Sequence, residues 1–326
     1  MVSDKHVGGL TDPLALRENR TVDLKCHVTL TMHDLRRISS TDGSHQAWLG
    51  DCLTALRMIP TGSVDLVFLD PPYNLGKDFG NGSDRWHDEN SYFEWCYERL
   101  EECLRVLAPS GSAYFMNSTQ NMPYFDIWLR KRVHILSRIV WQCDSSGVQA
   151  RKYFGSLYEP ILFCVKDRKN YVFNADDIAV EARTGAQRRL IDYRKREPSR
   201  YGTTKVPGNV WYIPRVRYRM PEYENHPTQK PEALLDRIIL ASTLPGQLVL
   251  DPFAGTFTCA AVARRLGRRS ISIEVSRDYF KIGLRRVDLA TEFDGEFLQP
   301  PEKPYARRHR KDPAATGAAH EQAALL

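Results

Sequence analysis

The sequence predicts an α/β protein: a doubly wound, mostly parallel sheet with a basic segment inserted into it. Three observations predict this class. Short apolar runs with β-branched members alternate with stretches of helical periodicity through the middle of the chain. Two of these runs end in Asp-Pro, at Asp70-Pro71 and Asp251-Pro252, as strands ending in loops would. Residues 166–225 break the alternation and are rich in Arg, Lys, Tyr and Asn.

Residues 1–45 are polar and weakly patterned, and are expected to form a flexible arm. Val64–Leu69 reads as a buried strand running into the loop Asp70-Pro71-Pro72-Tyr73. Tyr92–Leu107 carries Phe93, Tyr97, Leu100, Leu104 and Leu107 on one helical stripe. Ser112–Met116, Arg138–Cys143 and Ile161–Val165 read as further strands. Pro231, at a first-turn position, opens a helix through Leu234, Leu235, Ile238 and Ile239. Leu248–Leu250 is the next strand, Phe257–Leu266 a helix and Ser270–Ile273 a strand. Residues 294–326 combine prolines, the basic cluster Arg307-Arg308-His309-Arg310-Lys311 and an Ala-rich end, and are expected to be a disordered tail.

Composition narrows the class without choosing a function. A net charge of +6 permits nucleic acid as a partner but does not demand it. No run of about 20 apolar residues suggests a membrane span, and the N-terminus has no signal-peptide core, so a cytoplasmic protein is expected. Seven cysteines are scattered without a Cys-x-x-Cys pair, which suits reduced buried thiols better than a zinc site.

The insert is the most basic part of the patterned chain. Its cations include Arg183, Arg188, Arg189, Arg194, Lys195, Arg196, Arg200, Lys205, Arg215, Arg217 and Arg219. Asp192 and Glu197 are the only acids between Arg183 and Arg219. Tyr193, Tyr201, Trp211, Tyr212 and Tyr218 interleave with them. This pattern suits a nucleic-acid recognition module; an ordinary solvated basic surface suits it equally.

Three motifs carry chemistry. In Asp70-Pro71-Pro72-Tyr73, consecutive prolines stiffen a loop and remove two N–H donors. An acidic side chain and a free carbonyl together can accept both hydrogens of an –NH2 group, and the tyrosine can stack on a base; alone, the tetrapeptide also suits a plain turn. In Asp251-Pro252-Phe253-Ala254-Gly255-Thr256, a small-residue loop joins a strand to a helix start that favours a negative ligand group. Glu274, one strand later, sits where an acid can bind both ribose hydroxyls. In His226-Pro227-Thr228-Gln229-Lys230-Pro231, Thr228 and Lys230 stand before a helix start where an anionic group could be held; a rigid turn is the plainer reading.

The order of these motifs resembles the permuted, beta-class amino-methyltransferases of DNA, over residues 47–290, and adenine-specific members in particular. Supporting stretches are residues 117–123, 144–150, 190–195 and 206–211. The resemblance implies a Rossmann-like S-adenosylmethionine-dependent methyltransferase fold with an inserted target-recognition region. Residues 46–165 would be the catalytic half, 166–225 the target-recognition insert and 226–293 the cofactor-binding half. Asp70, Pro71, Pro72 and Tyr73 would be the catalytic motif. Asp51, Asp70, His226, Thr228, Lys230, Asp251, Pro252, Phe253, Ala254, Gly255, Thr256 and Glu274 would bind S-adenosylmethionine, with Asp51 on its adenine edge and Glu274 on its ribose. Arg183, Arg188, Arg189, Arg194, Lys195, Arg196, Lys205, Arg215, Arg217 and Arg219 would bind DNA.

The implied reaction methylates the N6 amine of a flipped-out adenine in double-stranded DNA and uses no metal. It implies a protein of the bacterial cytosol, associated with the nucleoid, acting as a monomer or a homodimer. One departure is visible: Phe257 stands where many relatives have a second glycine, which could reshape the cofactor pocket. Cytosine N4, an RNA or protein substrate, and an inactive DNA-binding protein are the competing readings. Asp70 argues against the first, because cytosine-N4 enzymes usually carry Ser there. The insert and motif order argue against the second, and the intact Asp70, Tyr73, Gly255 and Glu274 against the third.

Overall fold

The computed structural model describes residues 35–79, 84–143, 151–182, 191–194, 196–200 and 202–298. Strands β1 (Arg36–Ser39) and β2 (His45–Leu49) precede helix α1 (Cys52–Arg57), β3 (Val64–Leu69) and α2 (Glu89–Val106). Next come β4 (Leu107–Met116), α3 (Met122–Leu129), β5 (His134–Gln142) and β6 (Tyr158–Val165). The insert contributes only short strands: β7 (Val180–Glu181), β8 (Ile191–Asp192), β9 (Ser199–Arg200), β10 (Thr204–Lys205) and β11 (Val210–Tyr212). The last part holds α4 (Glu232–Ser242), β12 (Leu248–Asp251), α5 (Thr258–Arg265), β13 (Arg269–Glu274) and α6 (Arg277–Arg286), then β14 (Glu292–Phe293) and β15 (Glu296–Phe297).

Nine strands form one sheet in the order β1-β2-β13-β12-β3-β4-β6-β5-β11. The run from β2 to β4 is parallel throughout. β6 is antiparallel to both its neighbours, and β1 is antiparallel to β2. The chain winds from β12 through α5 to β13 on one side, and from β3 through α2 to β4 on the other. The two directions separate at the β12–β3 pair, where Val249 faces Leu66 and Leu250 faces Val67. Connections leaving in opposite directions open a crevice at the carboxyl ends of such a pair. Asp70 follows β3 there and Asp251 closes β12.

Alternation within β3 shows how the sheet is buried. Val67 and Leu69 join the core under α1, α2 and α3, with Leu56, Phe93, Leu100 and Phe125. Leu66 and Phe68 point the other way, into the core under α4 and α5, with Leu235, Ile238 and Val262. A smaller cluster around Phe257, Phe280 and Leu284 seats α6. α2 starts at Glu89, three residues before its first expected position, because the Asp88 side chain accepts the Ser91 N–H as an N-cap.

Several elements differ from the sequence expectations. Arg36–Ser39, expected within a flexible arm, pair with Gln46–Leu49 as an edge strand. Edge strands need little apolar content, and the Arg37 guanidinium lies 3.8 Å from the Trp48 ring centre. β11 returns the insert to the sheet beside β5, and Trp211 is buried rather than displayed with the exposed aromatics. At the far end, β14 and β15 form a hairpin that reaches into the expected tail, with Phe293 buried. Six described cysteines are free and buried. Among the described residues no helix is long and apolar enough to cross a membrane. Arg183, Arg188, Arg189, Lys195, Tyr201, Cys26, the stretch 144–150 and the basic cluster at 307–311 lie outside the described residues.

Candidate active site

The crevice between β3 and β12 holds a pocket whose wall includes Asp70, His226, Lys230, Asp251, Phe253 and Gly255. All three motifs therefore meet, although they are far apart in sequence.

The Asp-Pro-Pro-Tyr loop is fixed through its carbonyls. The Tyr92 hydroxyl donates to the Pro72 carbonyl at 2.9 Å, and the Asn121 amide donates to the Tyr73 carbonyl at 3.0 Å. Asn117 in turn donates to the Tyr92 hydroxyl at 2.8 Å. Among the described residues no hydrogen bond reaches the Pro71 carbonyl, so it keeps an acceptor beside Asp70. Tyr92 and Asn121 are additions to the expected site residues. Tyr92 opens an apolar stripe and reads as core, and only the loop's position shows what its hydroxyl does.

Asp70 is enclosed by partners. Lys230 Nζ stands 2.6 Å from its Oδ2, and the Tyr73 hydroxyl 2.6 Å from its Oδ1. Burial works against the Lys230 ammonium, but the carboxylates of Asp70 and Glu159 outweigh it and hold its pKa above the usual lysine value. Burial, reinforced by the same two carboxylates, pushes the Tyr73 phenol well up. Glu159, near the start of β6, completes the cluster: Arg215 Nη2 lies 2.8 Å from its Oε1. Glu159 carries no sequence signal, since a lone acid near the start of a strand resembles any surface residue. Arg215, expected among the DNA-gripping cations, is turned inward to this acid.

The glycine loop is tied to the end of β13. Gly255 N–H donates to Glu274 Oε2 and Ser276 N–H to Oε1, each at 2.7 Å. Glu274 is buried, and burial raises its carboxyl to about 7. Asp251 is buried as well; it accepts the Phe253 N–H at 3.0 Å, and burial, with Asp70 and Glu274 close by, raises it to about 8. Asp70, Asp251 and Glu274 thus stand close to one another, and Glu159 shares Lys230 and Tyr73 with Asp70. Gly255 has φ +51, and a β-carbon there would meet His226 Nε2 at 3.1 Å. His226 Nδ1 accepts the Thr228 N–H at 3.2 Å, which fixes a neutral tautomer with the proton on Nε2. Burial first, and Lys230 and Lys77 next, depress its pKa to about 4.

Other expected residues hold different positions. Asp51 caps α1 through the Thr54 N–H and pairs with Arg99 at 3.0 Å, so both its oxygens are engaged. The anionic position at the start of α4 is taken from within the chain: Glu232 N–H donates to Glu222 Oε2 at 2.6 Å. Lys230, expected beside that helix start, is directed to Asp70 instead. Phe257, at φ +61, takes the left-handed conformation that a glycine would favour, and its ring is fully buried against α6, away from the pocket wall. On the insert, Arg194, Arg196, Lys205, Arg217 and Arg219 are exposed, as are Tyr193, Tyr212 and Tyr218.

Comparison with known proteins agrees with this geometry. Residues 64–285 match the family model described as DNA methylase (N6_N4_Mtase). The chain is 60% identical over 249 residues to the DNA adenine methyltransferase YhdJ of Escherichia coli (strain K12), covering 76% of this chain and 84% of that protein. It is 35% identical over 247 residues to the type II methyltransferase M.HpaI of Haemophilus parainfluenzae, covering 75% and 74%. The crystal structure of the M1.HpyAVI-SAM complex superposes with a TM-score of 0.52 at 19% identity, covering 75% of this chain and 99% of that one. At that identity the likeness concerns the fold.

Proposed function

The chain belongs to the DNA methylase family, and from that premise we propose that it methylates the N6 amine of adenine in double-stranded DNA, with S-adenosylmethionine as the methyl donor. The observation that carries this reading is the Asp70 carboxylate in the pocket wall, followed in the chain by a Pro71 carbonyl that has no hydrogen-bond partner among the described residues. The 60% identity to a protein named as a DNA adenine methyltransferase supports adenine as the target.

An adenine amine is a weak nucleophile because its lone pair is delocalised into the ring. Asp70 and the Pro71 carbonyl accept its two hydrogens and favour a tetrahedral nitrogen, whose lone pair then faces the pocket. Tyr73 offers its ring to the flipped base. S-adenosylmethionine supplies an electrophilic methyl group on a positively charged sulfur. The carboxyl groups of Asp70, Asp251 and Glu274 suit a cationic ligand, because Asp251 and Glu274 ionise more readily once a positive charge stands near them. Gly255 lets the ligand approach the backbone, and Glu274 keeps a free acceptor lone pair on each oxygen for ribose hydroxyls. Positioning and desolvation in this crevice supply the acceleration.

The exposed cations Arg196, Lys205 and Arg219 grip phosphates, and exposed tyrosines beside them contact bases. Such a protein works on chromosomal DNA in the bacterial cytosol, and a homodimer would suit a palindromic site. Nucleoside mass spectrometry tests the proposal. Unmethylated bacterial DNA incubated with the protein and S-adenosylmethionine is expected to gain N6-methyladenine. Gain of N4-methylcytosine, or of no methylated base, would overturn it.

A further inference from the structure

Without DNA, the Asp70 carboxylate is already engaged on both oxygens, by Lys230 at 2.6 Å and by the Tyr73 hydroxyl at 2.6 Å. An incoming amine competes with both. Each of these groups has a second carboxylate within reach, and it is the same one. The Tyr73 hydroxyl lies 3.1 Å from Glu159 Oε2, and Lys230 Nζ lies 3.8 Å from that same oxygen. A phenol has one proton, so Tyr73 donates either to Asp70 or to Glu159, never to both at once. Lys230 needs to move only about 1 Å to reach hydrogen-bond distance of Glu159.

Burial makes the second acceptor necessary. The side chains of Lys230, Asp70 and Glu159 are 8%, 15% and 13% exposed, so water does not readily replace a missing partner. Breaking the contacts with Asp70 and offering nothing in return would strand a buried ammonium and a buried hydroxyl. Arg215, 2.8 Å from Glu159 Oε1, holds one oxygen of the carboxylate and leaves Oε2 beside the Tyr73 hydroxyl and Lys230. β6 runs antiparallel to β4, which brings Glu159, near its start, to the carboxyl end of the parallel strands.

We propose that Glu159 is a positioning residue: it takes over Lys230 and the Tyr73 hydroxyl as the target amine engages Asp70. Asp70 then changes from a partner of the protein's own groups to an acceptor for substrate. The amine group itself drives the exchange, so a base without one leaves Lys230 and Tyr73 on Asp70. This role rests on the adenine-methylation reading.

The test uses duplexes carrying the sequence that the wild-type protein methylates, with either adenine or purine, which lacks the amino group, at the target position. Wild type is expected to show an added preference for the adenine duplex, read as its adenine-to-purine affinity ratio relative to the variants, a comparison that cancels the cheaper unpairing of purine. In Glu159→Gln that preference is expected to vanish, and the single-turnover methylation rate to fall by about 10-fold to 100-fold, the range set by leaving a buried charged group unpaired. Affinity for S-adenosylmethionine should stay unchanged. Glu159→Asp keeps the charge but withdraws the carboxylate, and the same loss of discrimination is expected there if Glu159→Gln does not fold. Retained discrimination and rate in a folded variant would overturn the exchange role. An equal loss of binding to both duplexes would also overturn it, pointing to structural support alone. Absence of methylation by wild type would instead overturn the underlying reading.

Discussion

The ring of Phe257 lies so close to Gly283 of α6 that a β-carbon on Gly283 would overlap Phe257 Cγ. The bare glycine gives the ring a seat, and the ring packs edge-on against Phe280 at 5.7 Å between centres. A residue in a left-handed conformation is thereby held in place by burial, with its side chain directed away from the crevice. Gly283→Ala should lower stability by about 1–3 kcal/mol through overpacking. Denaturant titration checks this; affinity for the methyl donor, measured at a temperature where the variant is folded, should stay close to wild type.

Gly255 makes the opposite prediction. Its φ of +51, and the 3.1 Å that would separate an added methyl group from His226, mean that Gly255→Ala strains the loop beside the pocket. The fold should survive, because Gly255 is only half-buried and the atom nearest the added methyl group belongs to the His226 side chain rather than to backbone, while affinity for S-adenosylmethionine should fall by about tenfold or more, a loss of at least roughly 1.4 kcal/mol. Calorimetric titration of both proteins measures the difference.

The raised carboxyls predict two pH dependences of opposite sense. Asp251 at about 8 and Glu274 at about 7 hold protons near neutrality in the ligand-free protein. A cationic ligand favours their ionised forms, so affinity for S-adenosylmethionine should rise with pH through this range, and more steeply than affinity for S-adenosylhomocysteine, whose sulfur is uncharged. Stability should move the other way. A carboxyl raised on folding leaves its contribution intact below the unfolded value of 3.8 and loses it as pH rises towards about 8 for Asp251. Asp251→Asn should therefore flatten the fall in melting temperature across that window.

The exposed insert cations give a salt prediction. Replacing Arg196, Lys205 and Arg219 with Gln should weaken DNA binding and reduce the slope of log affinity against log salt by about 0.9 for each phosphate that is no longer neutralised. Fluorescence anisotropy over a salt series checks it, and an unchanged slope would remove these residues from the DNA-binding surface. Arg215 stands outside this set because Glu159 holds it.

Much of the fold is legible in the sequence because β3 and β12 are short, mostly apolar runs, β13 alternates Ser with Ile, and α2 and α4 carry clear apolar stripes. The strand β1 is not, since an edge strand such as Arg-Arg-Ile-Ser is held by backbone pairing that leaves no apolar signature. Motif residues Asp70, Asp251 and Gly255 meet where the alternating pattern places them, at strand ends, and Lys230 joins them from the turn before α4. Glu159 and Tyr92 give no such signal because their importance depends on what lies opposite them after folding, and Asn121, within the supporting stretch 117–123, is marked there without a role. Asp51 carries a structural role that its motif does not announce: it caps α1 and pairs with Arg99, and its Oδ2 keeps an acceptor lone pair for a ligand.

The most direct measurement compares wild type with Asp70→Ala for methyl transfer to DNA and for S-adenosylmethionine binding in parallel. If Asp70 accepts the amine, as proposed, the variant should lose transfer of label to adenine, while affinity for the methyl donor, which Asp251 and Glu274 also hold, falls far less. Transfer that persists in the variant, or a matching loss of donor binding, would contradict the assignment of Asp70 as the acceptor for the target amine.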